Sequence, residues 1–256
     1  MVVRVPARPA LSGGVAEFDG RQYPLALGPR CACVGGDVLW AVIGLPANQA
    51  LGPQTVSVRL VDTQGATAEE LSLGFSVAAA GYPVEYVTLA PERAALLAPE
   101  IVQEELARRA AIFDLFTPDR LWSGLFMLPV QGPISSPYGV GRSYNGGPVT
   151  DYHHGTDFSA APGTPIVAAN SGRVAFAGEL AVRGISVFVD HGLGVFSSYH
   201  HMSQLAVAEG QFVNKGDLIG YVGDTGLAEG AHLHWEIAVR GINVDPIPWT
   251  QVEYGP

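Results

Sequence analysis

The sequence predicts a mainly β protein in two parts joined by one helix, and three observations carry that reading. Turn-forming residues are abundant, with 32 Gly and 19 Pro in 256 residues, while charged residues are only 15%, against roughly 25% in an average soluble protein. Apolar residues come in short alternating or continuous runs of strand length. One stretch alone, Pro91 to Thr117, breaks that pattern with apolar residues at steps of three and four.

From Val2 to about Tyr86 the runs are broken by Gly, Pro, Asp and Asn. In Thr55-Val56-Ser57-Val58-Arg59-Leu60-Val61-Asp62 the residues Val56, Val58 and Leu60 share one face and Ser57 and Arg59 the other, as a half-buried strand requires. Residues 1–90 are therefore expected to form an antiparallel β-sandwich of immunoglobulin-like size. It contains no histidine and no catalytic constellation, so an accessory binding or positioning role is expected of it. Residues 91–120 read as a helical connector: Pro99 suits a first helical position and Glu100, Glu104 and Glu105 precede Arg108 and Arg109, which complements the helix dipole. Val102, Leu106, Ala110 and Phe113 form its expected apolar stripe. Over 121–256 strands return, at Arg173 to Ala177, Ile185 to Asp190, Val195 to Met202, Leu218 to Val222 and His232 to Arg240, and a mostly antiparallel β domain is expected.

At 48% hydrophobic the chain has enough apolar content for a core, and no uninterrupted apolar run approaches the ~20 residues that span a bilayer. Fourteen Lys and Arg against 24 Asp and Glu leave a net charge of −10, which argues against nucleic acid or an anionic lipid surface as a partner. Cys31 and Cys33 lie one residue apart, too few for a disulfide framework or a four-cysteine zinc site; two small buried side chains are expected there. The first residues carry no apolar stretch behind a basic end, so no signal segment is expected within this chain.

All seven histidines fall between His153 and His234, and such clustering points to metal or acid/base chemistry. In Ala231-His232-Leu233-His234-Trp235-Glu236-Ile237 a strand places His232, His234 and Glu236 on one face and Leu233, Trp235 and Ile237 on the other. Two imidazoles at that spacing are able to share one small site, although two surface histidines on a half-buried strand fit the pattern as well. In Tyr152-His153-His154-Gly155-Thr156-Asp157 a carboxylate follows imidazole at short range, the mixed set that leaves a fourth tetrahedral position open for water, or equally a plain loop histidine paired with Asp157. In Tyr199-His200-His201-Met202 the two histidines face opposite ways on a strand, so only one joins a cleft. His191, in an Asp-His-Gly turn, reads as structural.

Taken together, His153-His154-Gly155-Thr156-Asp157, Tyr199-His200-His201-Met202-Ser203 and His232-Leu233-His234 resemble the M23 zinc metallopeptidases, the lysostaphin and LytM-like peptidoglycan endopeptidases. The likeness extends through Gly163 to Ala169, Val213 to Gly220 and Val222 to Gly226, covering about Pro129 to Pro246 in the family's order. It implies an antiparallel LytM-like (duplicated hybrid motif) peptidase domain. It implies zinc on His153, Asp157 and His234, with His201 and His232 as the catalytic histidines beside the metal and His154 and His200 as their neighbours. Tyr144 resembles a tyrosine near the active site of some members, a substrate or oxyanion contact. Zinc lowers the pKa of a bound water towards ~7 and polarises a carbonyl, and imidazoles beside it move protons or stabilise an oxyanion. The resemblance thus implies a zinc endopeptidase acting on peptide cross-links of peptidoglycan through a metal-activated water. Peptidoglycan peptides are the implied partner, and an extracytoplasmic location, reached by export, the implied address. The competing reading is a non-catalytic cell-wall-binding or amidase-activating LytM-like module, and members of that kind usually lack a ligand.

Overall fold

The computed structural model describes residues 1–31, 35–149 and 151–256. Cys33 lies outside the described residues, as does the side chain of Cys31. Strands take 46% of the described residues and helices 10%, so the mainly β reading holds. Two compact units are present, residues 1–80 with 254–256, and residues 81–253.

The first unit comprises β1 (Val2–Pro6), β2 (Leu11–Phe18), β3 (Arg21–Pro24), β4 (Ala26–Cys31), β5 (Gly36–Val42), β6 (Gly52–Asp62) and β7 (Thr67–Val77). They form two antiparallel sheets, ordered β1-β5-β4 and β3-β2-β6-β7. Along β6 Val56, Val58 and Leu60 are buried and Ser57 and Arg59 exposed, because one face meets the core and the other meets water.

The second unit opens with β8 (Val84–Val87), α1 (Pro91–Ala94) and α2 (Pro99–Phe113). Then come β9 (Ile134–Ser136), β10 (Gly141–Tyr144), β11 (Asp151–Tyr152), β12 (Thr156–Ser159), β13 (Pro165–Val167), β14 (Gly172–Leu180) and β15 (Gly184–Asp190). β16 (Val195–Leu205), β17 (Phe212–Val213), β18 (Leu218–Val222), β19 (His232–Val239) and β20 (Ile242–Val244) complete it. The main antiparallel sheet runs β17-β14-β15-β16-β19-β12-β9, with β20 on β19 and the β13·β18 pair joined through β16. β8 pairs in parallel with β10, so residues 81–90, expected with the first domain, belong to the second.

The expected connector also proves to be part of that unit. Pro99 starts α2 cleanly: Ala98 before it has ψ 133°, the extended conformation that a following proline imposes. The buried residues of α2 are Glu105, Arg109, Ile112 and Phe113, whereas Leu106 of the expected stripe is 43% exposed and Ala110 is exposed as well. The reason lies in what the helix covers. Ile112 and Phe113 pack with Phe176, Leu180, Phe188, Phe196 and Ala238, and the next patch of that sheet face carries the carboxylate of Glu236, which Arg109 meets. Charge pairing turns the helix away from its purely apolar register.

Three neighbouring strands position the histidines. Asp157 on β12 lies opposite His234 on β19, and His200 on β16 lies opposite the same His234. The three side chains therefore form one row across the sheet. Leu233, Trp235 and Ile237 alternate to the other face and are fully buried.

Candidate metal centre

His153 occupies the short turn between β11 and β12. Its approach to the sheet depends on Gly155: a Cβ there would lie 2.3 Å from the carbonyl oxygen of Trp235, so only glycine lets the turn close. At the other side His201 has φ 58°, at the point where β16 changes partner from β19 to β18. That left-handed residue interrupts the strand alternation and carries the His201 ring to 4.7 Å from the ring of His232.

Three donor atoms converge. His153 Nε2 lies 3.0 Å from Asp157 Oδ1 and 2.9 Å from His234 Nδ1, and His234 Nδ1 lies 2.6 Å from Asp157 Oδ1. His153, Asp157 and His234 are all buried and form a group able to hold a metal ion. Their outer partners fix the tautomers. His153 Nδ1 donates to the carbonyl of Pro137 at 2.9 Å, and His234 Nε2 donates to Glu236 Oε1 at 2.9 Å. In their neutral forms both rings therefore turn a lone pair towards an anionic oxygen, an arrangement that repels unless a proton or a cation sits among the three.

The titration behaviour follows. Burial, partly offset by Asp157, pulls the pKa of His153 down to about 4. Burial also opposes charge on His234, but Asp157 and Glu236 outweigh it and raise its pKa. Burial alone would raise Asp157; the two imidazoles beside it hold it well below the usual carboxylate range. The second oxygen of Asp157 accepts from Arg142 Nη2 at 3.1 Å, and the same nitrogen donates to Ser136 Oγ. Arg142 also faces Glu85 on β8 at 3.5 Å.

The remaining expected residues take distinct places. His201 Nδ1 donates to the carbonyl of Thr225 and His232 Nδ1 to that of Gly230, leaving Nε2 of each free of a proton in the neutral ring. Burial and the neighbouring His232 and His234 hold the His201 pKa well below its ordinary value. His232 Nε2 lies 3.8 Å from Asp157 Oδ1. Tyr144 lines the same groove of about 540 Å³ as these histidines, and burial raises its pKa. His154 turns away to Asp151 and Arg183. His200 lies beneath His234, its Nδ1 2.8 Å from Ser186 Oγ and its Nε2 without a hydrogen bond; burial takes its pKa to about 3. His191 bonds Ser171 and Ser197 in the core.

Sequence reasoning placed Glu236 on the face of His234 but assigned it no task, and it missed Arg109, Arg142 and Arg183. Glu236 is fully buried, and of its charged or imidazole partners at hydrogen-bond distance Arg109 and His234 are buried beside it while Arg183 is partly exposed to the groove.

The profile of Peptidase family M23 matches residues 151–246, the segment that holds every one of the three converging donors. A Pseudomonas aeruginosa protein crystallised as a candidate peptidase M23 is 31% identical, with a TM-score of 0.70 over 97% of this chain and 92% of its own. The chain belongs to peptidase family M23. Among its relatives, the DD-carboxypeptidase/endopeptidase Mpg of Neisseria meningitidis is 38% identical over 117 residues, 44% of this chain and 26% of that protein. The peptidoglycan DD-endopeptidase ShyA of Vibrio cholerae is 39% identical over 89 residues, 35% of this chain and 21% of its own. The chain thus spans about a quarter of the length of the curated relatives it matches. No helix among the described residues is long and apolar enough to cross a membrane.

Proposed function

We propose that this M23 protein is a zinc-dependent endopeptidase that hydrolyses peptide cross-links of peptidoglycan outside the cytoplasmic membrane. The observation that carries the reading is the convergence of two imidazole lone pairs and a carboxylate oxygen within 3.0 Å of one another, each imidazole locked in the ligating tautomer by an outer acceptor. Two nitrogens and one oxygen are a donor set suited to zinc and, at three protein ligands, to catalysis rather than a closed structural site. His153, Asp157 and His234 would hold the ion, which supplies Lewis-acid activation of a water and of the scissile carbonyl.

The chain's own residues do the rest. His201, held neutral by burial, accepts a proton at Nε2 from the attacking water. His232, more open to the groove, takes up a proton from solvent at Nε2 and as the imidazolium hands it to the departing amine or steadies the oxyanion, while His201 returns its proton to solvent. Tyr144 contacts the substrate or the oxyanion from the groove wall. The groove of about 540 Å³ has room for a short peptide segment, and the DD-endopeptidase names borne by relatives such as ShyA favour the D,D bond of directly linked stem peptides.

The test is a digest of directly cross-linked and of pentaglycine-bridged peptidoglycan by the zinc-loaded protein, read by mass spectrometry. Release of monomeric muropeptides from the former, abolished by chelation, is expected. Cleavage confined to glycine bridges, or to the amide joining sugar and peptide, would overturn the assignment.

A further inference from the structure

The outer side of the metal centre contains a buried charge group that the peptidase chemistry above does not use. Glu236 Oε1 accepts from His234 Nε2 at 2.9 Å and from Arg183 Nε and Nη2 at 3.1 and 2.9 Å. Its Oε2 accepts from Arg109 Nη2 at 2.5 Å, Asn243 Nδ2 at 2.9 Å and Ser198 Oγ at 3.3 Å. Arg109 comes from α2, 127 residues earlier in the chain. One helical turn before it, Glu105 accepts from the backbone amides of Val182 and Arg183, so α2 holds both arginines that face Glu236.

Stability does not explain this arrangement. A buried ion pair seldom outperforms well-packed apolar side chains of similar volume, and Phe113, Phe176, Phe188 and Phe196 already line the adjoining sheet face. Orientation does explain it. Arg183 engages the same carboxylate oxygen as His234, whereas Arg109 is the charged partner of the opposite oxygen. With both oxygens held, the carboxylate has one orientation, the His234 Nε2–H has one acceptor, and His234 Nδ1 is left aimed at His153 Nε2 and Asp157 Oδ1. Without Arg109 the Oε2 oxygen keeps only its neutral donors Asn243 and Ser198, Arg183 becomes the one arginine facing the carboxylate, and the acceptor of the imidazole is held less firmly.

We propose that Arg109 is a positioning residue of the metal centre: through Glu236 it fixes the tautomer and aim of His234, and thereby sets the zinc affinity of the His153, Asp157 and His234 group. This rests on the metal reading above, and the helix ahead of the family segment becomes part of the catalytic unit.

The experiment measures zinc affinity of the full chain by chelator competition, together with the imidazole nitrogen resonances of the metal-free protein. Arg109→Met, which keeps the apolar stem, is expected to bind zinc roughly 10- to 100-fold more weakly and to show His234 in mixed tautomers. Arg109→Lys restores most of the affinity. Ile112→Ala loosens the same helix without touching Glu236 and is expected to retain wild-type affinity. If the Met variant fails to fold, Arg109→Gln carries the same expectation. A folded Arg109→Met with wild-type affinity and a single His234 tautomer overturns the proposal, as does an equal loss in Ile112→Ala. Failure of the wild type to bind zinc sinks the metal reading instead, while the tautomer comparison in metal-free protein still decides the role of Arg109.

Discussion

Zinc affinity should fall with acidity in a way that separates the two histidines proposed as ligands. A ligand must shed its proton before it binds a metal, so each imidazole that is charged at the working pH weakens apparent affinity about tenfold per pH unit, or ~1.4 kcal/mol. His234 has a raised pKa and is charged throughout mildly acidic solution. His153 stays neutral down to about pH 4 because burial depresses it, and Asp157 ionises well below the usual range. Only one proton therefore competes with the metal between about pH 6 and pH 5, and the dissociation constant should rise about tenfold over that step. Two imidazoles of ordinary pKa would raise it by close to a hundredfold. Competition with a chelator of known proton affinities, with far-ultraviolet circular dichroism at each pH to confirm the fold, measures the slope. A two-proton slope would refute the assignment of His153 as the ligand that is neutral in advance, and a flat profile would refute the raised pKa of His234 beside Asp157.

His201→Ala and His232→Ala should each retain zinc and lose roughly 10²- to 10⁴-fold in turnover of cross-linked muropeptides; near-normal turnover by either variant removes that residue from the chemistry. His191, whose pKa burial lowers to about 4, destabilises the native state in acid. A depressed histidine lets the unfolded chain take up protons first, so its contribution is complete above about pH 6.5 and is lost as pH falls towards 4. In urea unfolding of metal-free protein, His191→Asn should show roughly 2 kcal/mol less loss of stability than wild type between about pH 7 and pH 5; parallel profiles would show that His191 is not the group responsible.

Local pattern was enough to place the strand carrying His232, His234 and Glu236, since alternation there reports directly which side chains share a face. It also set Asp157 near imidazole and located the helix start at Pro99. The supporting contacts were another matter. Arg109 meets Glu236, and Glu85 meets Arg142, only through packing between segments far apart in the chain, and no periodicity records such pairings. The same blindness misplaced the apolar stripe of α2: periodicity put Leu106 and Ala110 in the stripe and read Arg109 only as a complement to the helix dipole, whereas burial follows Arg109 to its carboxylate. β8 escaped because a four-residue strand pairing in parallel with β10 has no turn to announce its partner. His201 needed more than alternation, for its left-handed backbone breaks the rule from which its direction was inferred.

The direct opposition of Asp157 and His234 on β12 and β19 makes the donor set a readout of strand register. Sliding β12 by a single residue sends the Asp157 side chain to the far face of the sheet, where Leu233 and Trp235 are packed. An ion bridging the pair would consequently act as a molecular latch across two strands joined late in the chain, penalising every misaligned pairing. Its contribution to the native state grows with the logarithm of free metal and reaches about 4 kcal/mol at a thousandfold excess over the dissociation constant. Metal supply and correct sheet assembly are on that account one equilibrium seen from two sides.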